Sequence, residues 1–360
     1  MEFLNDWWRF RKEELLALVK KEGPLYVYNE ETLNDTLFDL LAVDAIDGLF
    51  YPFYENPHPR ILRKVFEMEA GFKCISSVEL GHLLTLFPKL GPKRILFVPD
   101  YAHGKDFERA VRYGVHVVVK DLHTLKMLPS ILKNRKIFIP MDMDVEQVDK
   151  EASVEGFYIQ PKINFPPLSD TNKTISFFAG VSRQFPDVFT LILGNGMGVS
   201  VNREKDIMDI PVTGECLDAL KDACPQFALW FEPGRHMVSH AGVLLARVIE
   251  TGEAEETSFV RINMDMETPM HGGLHGTRHE IVNLSKLDEE AAVVVPITGQ
   301  DRDQGNTVGY LKGTASIEKG NILLFTNMGA HGPGRDFSGK RRNSVSEHYL
   351  VARRICPVKI

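Results

Sequence analysis

The sequence predicts an α/β protein, a (β/α)8 TIM barrel followed by a C-terminal antiparallel β domain. Three observations carry the prediction. Between Phe50 and Glu232, apolar strand-like runs alternate with longer helical ones, as parallel strands do when both faces are buried and a helix crosses between them. Eight such runs in about 200 residues suit a closed barrel better than a doubly wound sheet. After Glu250 the helical stretches stop, and apolar runs separated only by turns take over.

Taken in order, Trp7 to Lys20 reads as one amphipathic helix with Trp8, Phe10, Leu15, Leu16 and Val19 on its packing side. Gly23-Pro24 ends it. LYVYN, Leu25 to Asn29, is a short β run, and Asn29 is placed to cap a helix starting at Glu30. The barrel units follow: GLFYPFY with ILRKVFEMEAG, FKCIS with SVELGHLLTLF, RILFVPD with GKDFERAVRYG, and VHVVVKD with LHTLKMLPSILKN. KIFIPMDMD, a weaker GFYIQPKI, TLILGNG and ALWFEPG complete the eight, with HAGVLLARVIE after the last. Their polar or glycine-rich tails are expected to line the C-terminal rim, where barrel chemistry sits. SFVRINMD, HEIVNLS, AAVVVPITG and GNILLFTNMGA supply the β domain, and LYVYN is expected to pair among them. The expected boundaries are 1–29 for an N-terminal helix and β segment joining the β domain, 30–246 for the barrel and 247–360 for the β domain.

The 360 residues are 44% hydrophobic and 25% charged, which argues against disorder, collagen and coiled coil. Lys plus Arg number 42 against 49 Asp plus Glu, a net charge of -7 that gives no support to a nucleic-acid or anionic-membrane surface. The first residues lack a signal-peptide pattern and no apolar run reaches membrane-span length, so a cytoplasmic protein is expected. Cys74, Cys216, Cys224 and Cys356 are scattered with no CxxC pair, which disfavours a disulfide framework or structural zinc. Cys74 is expected in the core.

Several segments in colinear order carry a resemblance: GPLYVYN, ENPHPRILRKVFEMEAGFKCISSVELGHL, LILGNGMGV, FEPGRHMVSHAGVLLARVIETG, RHEIVNLSKL and GNILLFTNMGAHG. Together they resemble the fold-type III pyridoxal-phosphate decarboxylases, especially diaminopimelate decarboxylase and its ornithine and arginine relatives. The resemblance implies an alanine-racemase-like barrel plus β domain, a head-to-tail homodimer and active sites shared between subunits.

The catalytic set departs from that family. Its first barrel strand ends in a Tyr-Ala-x-Lys-Ala-Asn-like motif whose lysine holds the cofactor as an imine. Here the strand ends YPFYEN and Tyr54 stands at the lysine position. A phenol cannot form a Schiff base. Gln160 falls where a histidine would stack on the pyridine ring, and a long loop after the fifth strand shrinks to DVEQVDKEAS. Thr298 takes the place of a catalytic cysteine, Arg302 that of an aspartate with Asp301 and Asp303 on either side, and His331 that of a phosphate-contacting tyrosine.

Part of an anion site is retained. Gly194, Asn195 and Gly196 open a small-residue loop after an apolar strand, leaving backbone N–H groups available to a phosphate or carboxylate. By resemblance Glu232 would hold a pyridinium proton, and Arg235 would contact the phosphate or lock the turn. The alternative is that Glu232 and Arg235 form an ion pair that closes the rim.

Lys162, just past Gln160, is a candidate replacement amine if desolvated at the rim, and Lys120 is a weaker one. His271, His275 and His279 lie four apart, but the intervening glycines argue against a helical metal face, so no metal is expected. GRDFSGKRR, with Arg335, Lys340, Arg341 and Arg342, reads as a solvated loop or an anion-attracting lid. No GxxxxGK[ST], HExxH or GxSxG motif is present.

The expected function is a diverged decarboxylase-like protein that binds a small anionic or amino-acid-like metabolite in the former cofactor cleft. As a lyase-like biosynthetic enzyme it would use Tyr54, Glu232, Gln160 and Asp301 catalytically. Gly194, Asn195, Gly196, Glu232, Arg235 and His331 would line the cofactor position, with pyridoxal phosphate absent or bound noncovalently. Two alternatives stay open: a noncatalytic regulatory subunit of a decarboxylase-like dimer, and a pyridoxal-phosphate-dependent decarboxylase with a relocated lysine.

Overall fold

The computed structural model describes residues 6–99, 103–133, 135–144, 148, 152–159, 170–194, 210–254, 257–264, 280–287, 290–298, 307–314, 317–330 and 345–351. The described residues of 36–198 and 207–237 form one compact unit, and those of 1–35 and 238–360 form another.

The second of these begins with two helices, Trp7–Phe10 and Lys12–Glu22, rather than the single one the pattern predicts. The break is at Arg11, whose N–H turns back to the Trp8 carbonyl at 3.2 Å. It lets Trp7 and Trp8 bury while Phe10, expected to pack, is 74% exposed. Strand β1, Leu25–Asn29, follows as expected and is buried at every position. Asn29 caps the next helix, Glu30–Leu41, its Oδ1 accepting from the Thr32 N–H at 2.9 Å.

The barrel strands are β2 (Ile46–Pro52), β3 (Gly71–Cys74), β4 (Ile95–Phe97), β5 (His116–Val117), β6 (Lys136–Pro140), β7 (Ser153–Ile159), β8 (Thr190–Gly194) and β9 (Ala228–Glu232). They are parallel, in the order β5-β4-β3-β2-β9-β8-β7-β6. A parallel bridge from Val118 to Phe138, with the Val119 N–H on the Phe138 carbonyl at 2.9 Å, joins the two ends and closes the cylinder. Phe50, Leu96, Val98, Val118, Phe138, Tyr158 and Ile192 fill the interior, with Trp230 packed against them. Aromatic rings dominate this layer: the Phe50 and Phe138 centroids each lie 5.2 Å from Trp230. Cys74 is buried, as expected.

Helix starts are capped where the chain turns back from the rim. His58 accepts from the Arg60 N–H ahead of the helix Pro59–Glu67, whose first residue is proline. Ser76 accepts from the Glu79 N–H, and the Glu79 carboxylate accepts from the Ile75 N–H at 2.8 Å. Together they fix the ends of β2 and β3.

HAGVLLARVIE, placed after the last barrel run, is not helical. Most of it lies in β10, Gly242–Ala254, a 13-residue strand whose β-branched and leucine side chains bury on both faces. The remaining strands are β11 (Thr257–Ile262), β12 (Ile281–Asn283), β13 (Glu290–Thr298), β14 (Thr307–Thr314), β15 (Ile322–Phe325) and β16 (Ser346–Leu350). Their main order is β12-β15-β10-β11-β13-β14, with β1 paired to both β10 and β16. Most pairings are antiparallel; β1 with β16 and β11 with β13 are parallel, so the sheet is mixed. Trp8, Leu15, Val19, Leu25, Val27, Val243, Leu245 and Leu324 form its core. Among the described residues no helix is long and apolar enough to cross a membrane.

Candidate active site

Side chains of a strand alternate between its faces, so Glu232, two residues past Trp230, points into the barrel layer above it. Strand register then sets Gly194 beside Glu232 and Lys73 beside Pro52 at the C-terminal rim. Tyr158 reaches up from the interior layer.

Three of these side chains form a closed ring of contacts. Lys73 Nζ donates to Glu232 Oε1 and, at 3.0 Å, to the Tyr158 hydroxyl. Tyr158 in turn donates to Glu232 Oε2 at 3.0 Å. The Lys73 and Glu232 side chains are 4% and 0% exposed. Gly194 makes room for the phenol, since a Cβ there would lie 2.8 Å from the Tyr158 oxygen. The Tyr54 ring covers the ammonium, its centroid 5.6 Å from Lys73 Nζ.

The turn after β2 explains how Tyr54 is held. Its neighbours are tied down on both sides: the Phe53 N–H bonds the Lys73 carbonyl at 2.8 Å and the Glu55 N–H bonds Pro52 at 3.1 Å. The Tyr51 hydroxyl donates to the Asn56 carbonyl at 3.1 Å, and Asn56 Oδ1 accepts from the His58 N–H at 3.0 Å. Glu55 is buried directly under Gly234, where a Cβ would come within 2.8 Å of its Oε1. Two carboxylates and two cations, Glu55, Glu232, Lys73 and Arg235, therefore share this end of the barrel.

Burial dominates the electrostatics. It pushes Glu55 up to about 7, against the opposing pull of Arg235 and Lys73. It also pushes Glu232 upward, against Lys73 and the Tyr158 hydrogen bond. Burial alone would depress Lys73, but the Glu232 carboxylate outweighs it and Lys73 moves upward, held as an ammonium. Tyr54 is raised well above the usual phenol range by burial, although Lys73 acts the other way. Lys120 is near enough for its charge to reach Glu232.

Of the residues expected at the site, Tyr54, Glu232, Gly194 and Arg235 are described and converge on this rim. Gln160, Asp301, Asn195, Gly196 and His331 lie outside the described residues. So do Lys162, the histidines at 271, 275 and 279, Arg302, Asp303 and the basic residues at 335 and 340–342. Thr298 ends β13, backboned against Arg261 and Thr307. Among the described residues there is no group of three or more His, Cys, Asp or Glu able to hold a metal ion.

Lys73, Tyr158 and Glu55 were not foreseen as site residues. The signal for Lys73 was a lone lysine within the apolar run GFKCI; that for Glu55 was an acid in a turn otherwise built of aromatics and proline. Tyr158 stood in the motif used to locate Gln160.

No protein-family model matches the chain. Curated diaminopimelate decarboxylases are similar to it along most of its length. The protein of Neisseria meningitidis serogroup B is 29% identical over 373 residues, covering 90% of this chain and 87% of the relative. That of Deinococcus radiodurans is 22% identical over 336 residues, covering 86% and 85%. The Methanocaldococcus jannaschii enzyme is 27% identical over 174 residues, a match spanning only 39% of that relative. Among solved structures, the arginine decarboxylase of Paramecium bursaria Chlorella virus, bound to agmatine, superposes with a TM-score of 0.79 at 16% identity, covering 94% of this chain and 100% of that one. The Helicobacter pylori diaminopimelate decarboxylase, complexed with L-lysine, gives 0.77 at 18% identity, covering 94% and 93%. These structural likenesses support the barrel and β domain as a fold.

Proposed function

This chain belongs to the fold-type III pyridoxal-phosphate-dependent decarboxylase family, and from that premise we propose that it is a lyase-like biosynthetic enzyme without covalent pyridoxal phosphate. Its former cofactor cleft takes a small anionic or amino-acid-like metabolite. Two observations support this: Tyr54 stands where the family lysine is expected, and both oxygens of Glu232 already accept from Lys73 and Tyr158.

Pyridoxal phosphate, which supplies an electron sink to amino-acid chemistry when bound, needs an amine for its aldehyde and a carboxylate for its ring nitrogen. Here the amine sits on the carboxylate. The two residues satisfy one another, Lys73 donating to the carboxylate that the ring nitrogen would need. As arranged, these residues do not fit the cofactor.

They do suit a small anion. Arg235 brings positive charge to the rim, and backbone N–H groups are expected from Gly194, Asn195 and Gly196. Glu55, titrating near neutrality, can take or give a proton at working pH. Tyr158 and Glu232 form a second proton route. Tyr54, Gln160 and Asp301 remain proposed contributors to the chemistry, and His331 to ligand contact. A cytoplasmic homodimer completes the proposal.

Calorimetric titration with inorganic phosphate and with L-lysine, the ligand of the Helicobacter pylori relative, tests it. Saturable binding of either, weakened by Arg235→Ala, is expected, with no imine absorbance when pyridoxal phosphate is added. A stable imine band, or no binding of any small anion or amino acid, would refute it.

A further inference from the structure

We infer that Lys73 is a carbonyl-capturing amine, which with Glu232 and Tyr158 forms a reversible imine with a compact anionic carbonyl compound of the 2-oxo-acid class. The inference rests on the small-ligand cleft proposed above and adds the bond by which the ligand is held.

Three features point to it. The amine lies at the C-terminal end of a parallel barrel, the end where such barrels carry their chemistry. A proton acceptor and a hydroxyl both touch the one nitrogen, so the groups needed to deprotonate an amine and to protonate a departing oxygen are already in contact with it. Finally, a buried lysine–glutamate pair is a poor stabilising device, since the cost of desolvating two ions offsets most of their attraction. Phe72 and Cys74 face the other side of β3, so Lys73 is the side chain of this strand that enters the interior beside Glu232 and Tyr158.

The chemistry balances without any further reactant. The ammonium of Lys73 passes a proton to Glu232, and the free amine attacks the carbonyl carbon, forming a C–N bond as the C=O pair moves onto oxygen. Tyr158 gives that oxygen a proton and is reprotonated from Glu232. A second proton, lost from the nitrogen, leaves with the hydroxyl as water, and the C–O bond breaks. Addition of water reverses every step. Arg235 meets the carboxylate of the ligand. Because Lys73 touches Glu232 directly and the Tyr158 phenol lies against Gly194, the ligand proposed is a short oxo acid rather than a substituted pyridine.

The test is reductive trapping on the full chain. Protein is incubated with pyruvate, with glyoxylate or with pyridoxal phosphate, reduced with cyanoborohydride, and examined by intact mass and peptide mapping. One pyruvate- or glyoxylate-derived adduct per chain, mapped to Lys73, is expected, with no pyridoxal-derived adduct at that residue. Lys73→Arg keeps the charge, removes the primary amine and should abolish the adduct. Mapping in the unaltered protein decides the matter even if that variant fails to fold. Tyr54→Ala, which uncovers the amine, should label faster. No adduct in either the parent or Tyr54→Ala overturns the inference, as does labelling confined to surface lysines. Capture of pyridoxal phosphate at Lys73 overturns the compact-ligand assignment. Anion binding by calorimetry without any adduct removes the imine but leaves the proposed function standing.

Discussion

Replacing Lys73 by methionine should destabilise the barrel far more than replacing Lys73 and Glu232 together. In the single variant Glu232, with no exposed surface, loses its bonded ammonium and keeps the Tyr158 hydroxyl and the more distant charge of Lys120. Removing one member of a buried pair costs about 3–5 kcal/mol, because the survivor stays buried and uncompensated. Glu232 can escape part of that cost by taking up a proton, and burial already favours its neutral form. About 3 kcal/mol is therefore expected at pH 7, falling as the pH drops. In Lys73→Met/Glu232→Gln the charge is gone from both sides, and the glutamine amide can still meet Tyr158. That double variant should lie within about 1 kcal/mol of the parent, recovering about 2 kcal/mol of what Lys73→Met alone loses. Urea unfolding followed by circular dichroism, for the four members of the cycle at pH 5 and pH 7, measures both quantities. Equal and additive losses in the two single variants, with no recovery in the double, would show that the side chains are not coupled as described.

Glu55→Gln should change the pH dependence of stability. Glu55 titrates near 4.5 when unfolded and at about 7 in the fold, so the folded state holds its proton more tightly and stability is lost as pH rises through that interval. At about 1.4 kcal/mol per pH unit, the variant should gain about 3 kcal/mol over the parent by pH 8 and nothing at pH 4; parallel stability curves would assign the titration elsewhere. Light scattering at micromolar concentration should give about twice the 40.7 kDa chain mass, and a monomer throughout that range would remove the homodimer and its shared site.

The barrel was legible because a parallel strand buried on both faces is written as an unbroken apolar run, and all eight runs became strands. Two errors have local causes. Helical periodicity across Trp7–Lys20 hides the turn at Arg11, which depends on where the two tryptophans find room. HAGVLLARVIE is apolar enough for either a helix or a strand, and its pairing with β1 and β15, both remote in sequence, settles the choice. The lysine was missed for a different reason. Whether Lys73 faces the barrel interior or the surrounding helices depends on register against β2, which no local pattern reports. Tyr54 and Glu232 could be placed from flanking motifs, whereas Lys73 became visible only when register set it one strand away from Glu232, on the other side of β2.

The placement of β1 bears on how the chain reaches its fold. Residues 25–29 are made before either of their partners, residues 242–245 in the antiparallel pairing and residues 346–350 in the parallel one. More than 300 residues must follow this strand in synthesis before it is flanked on both sides. Until then LYVYN, apolar and rich in strand-forming residues, is an unpaired edge open to other nascent chains. The barrel strands, by contrast, mostly pair with their immediate successors in sequence. Topology thus separates the two: the cylinder can close largely on contacts between successive strands, while the sheet containing β1 needs contacts hundreds of residues apart.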